Sequence, residues 1–199
     1  MSRKPRDIHE GEYYHVLTRG NNRQWLFRKE EDFAFYLRTL QRYSQKFNVS
    51  VFHYCLMTNH IHLLMKSEIL DEGITRLMHG LQTVYAAYYK RKQGTTGHVF
   101  ENRFKHFHIE DDAYLLECGR YIERNPVRAG IVQRAEDYAW SSFRYYAESV
   151  PDTIVTPDPL YTELGRTERE RQDEYRKYVE TPRPYEKILD KYFDERVLI

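Results

Sequence analysis

Three observations predict an α+β fold built on a ferredoxin-like split βαβ antiparallel sheet. Four short apolar segments read as strands, and two longer ones carry apolar residues at helical spacing. They follow one another in the order β, α, β, β, α, β, which is that of a split βαβ unit. With 199 residues, 41% of them apolar, the chain can bury one sizeable core and carry an appended tail. The expected fold therefore has helices on one face of the sheet, an extra helix after the last strand, and a helical C-terminal extension.

Residues 13–19, YYHVLTR, make the first strand, and Gly20-Asn21-Asn22 supplies the turn after it. Over 30–47, Phe33, Tyr36, Leu37, Leu40, Tyr43 and Phe47 form the stripe of an amphipathic helix. VSVFHYCLM (49–57) and HIHLLMKS (60–67) are strands joined at Thr58-Asn59. Ile74, Leu77, Met78, Leu81, Val84 and Tyr88 stripe a second helix over 73–91, which ends in Lys90-Arg91-Lys92 and the loop KQGTTG (92–97). FKHFHIE (104–110) is the fourth strand. Asp111-Asp112 then offers an N-cap and favourable charge for a helix running to about Asn125. Pro126 discourages helical geometry in the residue before it, so that helix is expected to end there. From about 150 the chain is Pro-rich, then charged and helical over 163–180. This divides it into a domain of residues 1–150 and an extension of residues 151–199, which packs on the domain or binds a partner.

Composition excludes several classes. No stretch approaches about eighteen consecutive apolar residues, so no membrane span is expected. The basic start, MSRKPRDIHEGEYYHV, lacks the apolar core of a secretory signal. Cys55 and Cys118 lie in apolar segments without CxxC spacing, which suits small core residues in a reducing, cytoplasmic setting. Net charge is only +1, but it is uneven: residues 151–199 hold 9 Lys and Arg against 12 Asp and Glu. The first 150 residues are therefore net positive, which gives weak support to nucleic-acid binding.

MTNHIHLLMKS (57–67) sets His60 and His62 one residue apart. On a strand they point to the same face, roughly 6–7 Å apart, where two imidazoles can converge on one ion. Half-exposed sheet histidines would show the same spacing. KHFHIE repeats it at His106 and His108, so spacing alone neither chooses between the pairs nor excludes both. At about 100° per residue on the helix from 112, Leu115, Cys118 and Ile122 form the core stripe. Tyr114, Tyr121 and Asn125 fall on its flank, and Arg120 and Arg124 lie further round towards solvent. Tyr121 and Asn125 are neighbours at i and i+4. A tyrosine beside an amide and arginines suits phosphoryl transfer to tyrosine. An edge-of-core tyrosine followed by an asparagine C-cap accounts for the same pattern.

MTNHIHLL followed by RYIERNPVRAG resembles the IS200-like single-tyrosine (Y1) transposases of the HUH superfamily, especially the REP-associated tyrosine transposases. The resemblance extends through HVLTRGNNRQWLF (15–27), GHVFENRFKHFHIEDDAYLLECGRYIERNPVRAGIV (97–132) and YAWSSFRYY (138–146). It covers residues 13–147 and leaves out the tail. It implies that His60 and His62 bind a divalent metal and that Tyr121, opening the Y-I-x-x-N-P segment, is the nucleophile. Asn125, one turn later, would complete the coordination. His106 and His108 are then a decoy, or at most a DNA contact.

The implied activity is that of a transposase, a single-stranded DNA endonuclease and strand transferase working through a 5′-phosphotyrosine at hairpin-forming repeat DNA. Mg²⁺ and Mn²⁺ both suit oxygen-rich coordination, and the histidines favour Mn²⁺ somewhat. Arg19, Arg23, Lys90, Arg91, Arg103, Lys105, Arg124 and Arg128 are the candidates for contact with single-stranded DNA. Monomer and homodimer are both compatible with the family. Two rivals remain: a non-catalytic, ferredoxin-like nucleic-acid-binding repressor, and a hydrolase using a metal-bound water with Tyr121 structural.

Overall fold

A computed structural model describes residues 6–68, 72–110, 112–181 and 183, without the side chains of 112 and 113. The elements are β1 (Tyr13–Arg19), α1 (Glu30–Lys46), β2 (Val49–Leu56), β3 (His60–Ser67), α2 (Gly73–Gln93), β4 (Lys105–Ile109) and α3 (Asp112–Arg128). Two further helices follow, α4 (Phe143–Glu148) and α5 (Glu168–Glu180). The sheet order is β2-β3-β1-β4 and every neighbouring pair is antiparallel. This is the ferredoxin-like arrangement that the element order predicts.

Alternation along the strands builds two cores from one sheet. Tyr14, Val16, Ile61, Leu63 and Met65 face α1 and α2, where they meet Phe33, Tyr36, Leu40, Leu77 and Leu81. On the other face Phe52, Cys55, Leu64 and Phe107 pack against Leu115, Cys118, Tyr121 and Ile122 of α3. Each fully buried Leu or Phe contributes about 1.5–3 kcal/mol, so both faces are well anchored. Both cysteines are buried and free. Among the described residues no helix is long and apolar enough to cross a membrane.

Two expectations about α3 need correction. The helix does not stop at Asn125 as a C-cap; it runs through Pro126 to Arg128. Proline lacks the N–H that would bond the carbonyl four residues back. Here the Asn125 side chain makes up the loss, its Nδ2 donating to Ile122 O at 3.3 Å and to Tyr121 O at 3.0 Å. Arg120 and Arg124, expected towards solvent, are buried instead. Arg120 donates to the carbonyls of Tyr178 and Thr181, and Arg124 Nη1 to those of Val179 (2.7 Å) and Glu180 (3.0 Å). They cap the carbonyl end of α5, a favourable place for cations. A helical wheel shows angles around α3 but not the second layer that covers it. The Asp111-Asp112 cap lies outside the described residues and side chains.

A β-bulge in β2 decides how α3 is held. The pairing shifts between Val51, opposite Met65, and His53, opposite Leu64. The extra residue turns His53 from the α1/α2 face to the α3 face. There its Nδ1 meets Glu123 Oε1 at 2.9 Å and its Nε2 meets Asp158 Oδ2 at 3.1 Å, all fully buried. Ser142 and Tyr175 donate to the same Glu123 carboxylate at 2.6 and 2.7 Å. Gly119 allows this approach, since a Cβ there would lie 2.6 Å from His53 Nε2. The extension thus contributes Asp158 and Tyr175 to a buried network centred on α3.

Burial alone would lower the His53 pKa; hydrogen bonds to Asp158 and Glu123 outweigh it and push it up to about 9. A folded pKa above the unfolded value stabilises the protein fully below about pH 6.5, the ordinary histidine value. That contribution is lost as pH rises through about 9. Urea denaturation is expected to show His53-dependent stability falling across that interval. Asp158→Ala, which leaves the buried pairing incomplete, should cost about 3–5 kcal/mol at pH 6.

Candidate active site

Strand register separates the two histidine pairs that spacing could not. Arg19 lies opposite His60, Leu17 opposite His62 and His15 opposite Leu64, so all these side chains share the α3 face. His106 pairs with Val16 and His108 with Tyr14, which puts them on the α1/α2 face. His108 Nε2 meets Glu12 at 2.9 Å at the sheet edge, and His106 lies against Tyr14 and Phe104. Of the two pairs, His60 and His62 are the one on the side of α3.

Tyr121 closes over that pair within the same chain. Its ring stands edge-on to His62, with centroids 5.9 Å apart, and edge-on to His15 at 6.1 Å. The rings of His60 and His62 are themselves 5.0 Å apart. Tyr121 is 1% exposed, and the Arg128 guanidinium lies 4.7 Å above its ring. One turn along, the Asn125 amide nitrogen is held by helix carbonyls, so a ligand could be met only by its Oδ1.

Beside these groups opens a cleft of about 330 Å³ lined by Arg19, Arg23, Asn59, His60, Asn125 and Arg128. A smaller adjoining hollow is lined by Arg19, Arg103 and Lys105. Five of the eight candidate DNA contacts therefore gather here. Lys90 and Arg91 sit in the last turn of α2, outside both linings. Arg124 is committed to α5 and does not line the cleft.

The histidines are held neutral. Burial pulls the His15 pKa down to about 3. Burial, then Arg19, takes His60 down to about 4. Burial, reinforced by His60, His15 and Arg128, holds His62 well below its usual value. Neutral imidazoles are the form that binds metals.

Sequence reasoning missed two residues here, His15 and Asn59. His15 Nε2 and His62 Nδ1 share a hydrogen bond at 2.9 Å, and His60 Nδ1 lies 2.7 Å from Asn59 Oδ1. His15 and His62 are diagonal neighbours across β1 and β3, a relation visible only once the register is known. Asn59 stood in the sequence next to His60, but read as a turn residue.

Residues 9–125 match the family of IS200-like transposases, the Y1 transposases. The chain belongs to that family. Among solved structures its fold is similar to a REP-associated tyrosine transposase bound to a REP hairpin. The TM-score is 0.58 at 15% identity, covering 79% of this chain and 93% of that one. A candidate transposase from Deinococcus radiodurans is more distant, with TM-score 0.42 and 13% identity over 68% of this chain and 97% of that one. No curated protein matches the sequence significantly.

The residues of this IS200-like transposase fit a divalent ion. His62 Nε2 is buried and, among the described residues, has no hydrogen-bond partner. Leaving such a polar atom unsatisfied costs about 1–3 kcal/mol, which a ligand would relieve. Among the described residues no three His, Cys, Asp or Glu gather as a ready metal cluster. A centre here would draw on two imidazoles, the Asn125 carbonyl oxygen and substrate oxygens.

The two arginines one turn apart on α3 should separate cleanly on substitution. Arg128→Ala is expected to weaken single-stranded DNA binding and reduce the slope of log affinity against log salt by about 1. Arg124→Ala should leave that slope unchanged and lower the melting temperature. Fluorescence anisotropy across a salt series, with thermal denaturation, checks both.

Proposed function

We propose that this transposase cuts and rejoins single-stranded DNA beside a hairpin through a 5′-phosphotyrosine at Tyr121. One observation carries the reading: a single chain packs the Tyr121 ring against His62, next to an arginine-lined cleft. Arg19, Arg23 and Arg128 supply the charge that draws a phosphodiester into that cleft. Arg128, lying over the tyrosine ring, is placed to move onto the phosphate and uncover the phenol.

The Tyr121 oxygen then attacks phosphorus and gives up its proton. The bond from phosphorus to the 3′ oxygen breaks, the 3′-OH departs, and the 5′ phosphate stays on the tyrosine. A free tyrosine has a pKa of about 10, so the phenolate is disfavoured by roughly 4 kcal/mol at pH 7. His60, His62 and Asn125 would hold a divalent ion, Mg²⁺ or Mn²⁺, which when bound polarises the phosphate and stabilises charge on the leaving oxygen. The phosphotyrosine retains the energy of the broken bond, so a second 3′-OH can reverse the step and join strands. Tyrosine and histidines act in cis.

The partner is single-stranded DNA carrying a hairpin, a reading supported by the REP hairpin on the structurally similar transposase. Incubation of the protein with labelled hairpin DNA and Mn²⁺ is expected to yield cleaved DNA and an adduct that survives denaturation. Tyr121→Phe should abolish the adduct while leaving DNA affinity largely intact, and chelation should stop cleavage. Replacing His106 and His108 together should leave cleavage mostly in place. Binding without product would favour a repressor, and product without adduct a hydrolase.

A further inference from the structure

The histidine pair has a feature that its sequence motif does not contain. A neutral imidazole offers one lone pair, and the hydrogen bond made by the other nitrogen decides which atom carries it. On His60, Nδ1 lies 2.7 Å from Asn59 Oδ1. The Asn59 amide nitrogen donates to the carbonyl of Arg23 at 3.3 Å, which fixes the amide with its acceptor oxygen towards His60. The His60 proton therefore sits on Nδ1 and its lone pair on Nε2.

His62 also has its Nδ1 tied, here to Nε2 of His15 at 2.9 Å. Two proton arrangements satisfy that bond. If His15 donates, the His62 proton lies on Nε2 and that atom cannot ligate. If His15 accepts, His62 carries its proton on Nδ1 and presents an Nε2 lone pair, matching His60. The His62 Nε2 atom is buried without a hydrogen-bond partner among the described residues, on the ring that stands 5.0 Å from that of His60.

We infer that His15 is the acceptor for His62 Nδ1–H, and that His15 and Asn59 are paired positioning residues that turn both Nε2 lone pairs of the HxH motif outward for a divalent metal. The inference rests on the reading of His60 and His62 as metal ligands. The two residues do the same work from different directions. Asn59 acts from the turn that precedes β3, and His15 acts across the sheet from β1. Both act through the imidazole ring to which they are hydrogen-bonded. Groups bonded to the far nitrogen of a ligating histidine characteristically fix its tautomer and strengthen its lone pair.

The direct test is the ring ¹⁵N spectrum of the metal-free full-length protein, which distinguishes the two tautomers of His62. A proton on Nδ1 is expected, and a proton on Nε2 would overturn the assignment. The second test is Mn²⁺ affinity from the loss of the free-ion electron-spin signal. His15→Phe, which keeps the ring but removes the acceptor, should weaken binding about 10–100-fold. His15→Gln, which restores an acceptor, should recover most of the loss, and Asn59→Ala should behave like His15→Phe. Mn²⁺ affinity unchanged in His15→Phe, or equal loss in His15→Gln and His15→Phe, sinks the proposal, as does a wild-type protein that binds no Mn²⁺. Because both readouts are taken without DNA, they stand or fall separately from strand cleavage.

Discussion

Everything the candidate site can do depends on how firmly α3 is held across the sheet. Tyr121, Asn125 and Arg128 all ride on that helix, while the histidines are fixed in the strands beneath it. The buried contact of Glu123 with His53 lies between Tyr121 and Asn125 in sequence, and it ties the helix to β2 at the bulge. Asp158 binds the other side of the same imidazole, so the extension completes the clamp. A charged group this deep tolerates only one arrangement, because displacing either carboxylate strands a buried ion. Such a contact is a poor source of net stability and a good source of position.

Position matters more than strength for the proposed chemistry. A phenol and two imidazoles must address one phosphate, and misplacement by about 1 Å can cost a hundredfold in rate. The protein meets that demand by layering. The sheet holds His60 and His62 by backbone pairing, α3 rests on the sheet through Leu115, Cys118 and Ile122, and Arg120 and Arg124 of α3 donate to the carbonyl end of α5. The cations that line the cleft are those on the open side, around Asn59 and His60. Two arginines on the covered side serve structure instead.

The site also shows how neutral histidines coexist with a basic surface. Burial keeps the three histidines unprotonated, and arginines beside His60 and His62 would repel their charged forms. Pro126 belongs to the same economy of contacts. By removing a backbone donor it engages the Asn125 amide nitrogen with Ile122 and directs the carbonyl oxygen elsewhere.

Local pattern alone determined much of this protein. The order of strands and helices, the apolar stripe of α1, that of α2 as far as Leu81, and the adjacency of Tyr121 and Asn125 follow from period and spacing, which are properties of short segments. Beyond Leu81 the structure buries Tyr85 and Tyr89 where Val84 and Tyr88 were expected. The motifs around His60 and Tyr121 were enough to suggest the family. Tertiary structure decided the rest. Whether His60 and His62 or His106 and His108 faced the tyrosine was settled by register, because a strand's two faces are equivalent until a partner is chosen. The bulge that turned His53, the second layer that buried Arg120 and Arg124, and the approach of His15 to His62 all join residues distant in sequence. No local propensity encodes such contacts, since they exist only when separate elements are packed together.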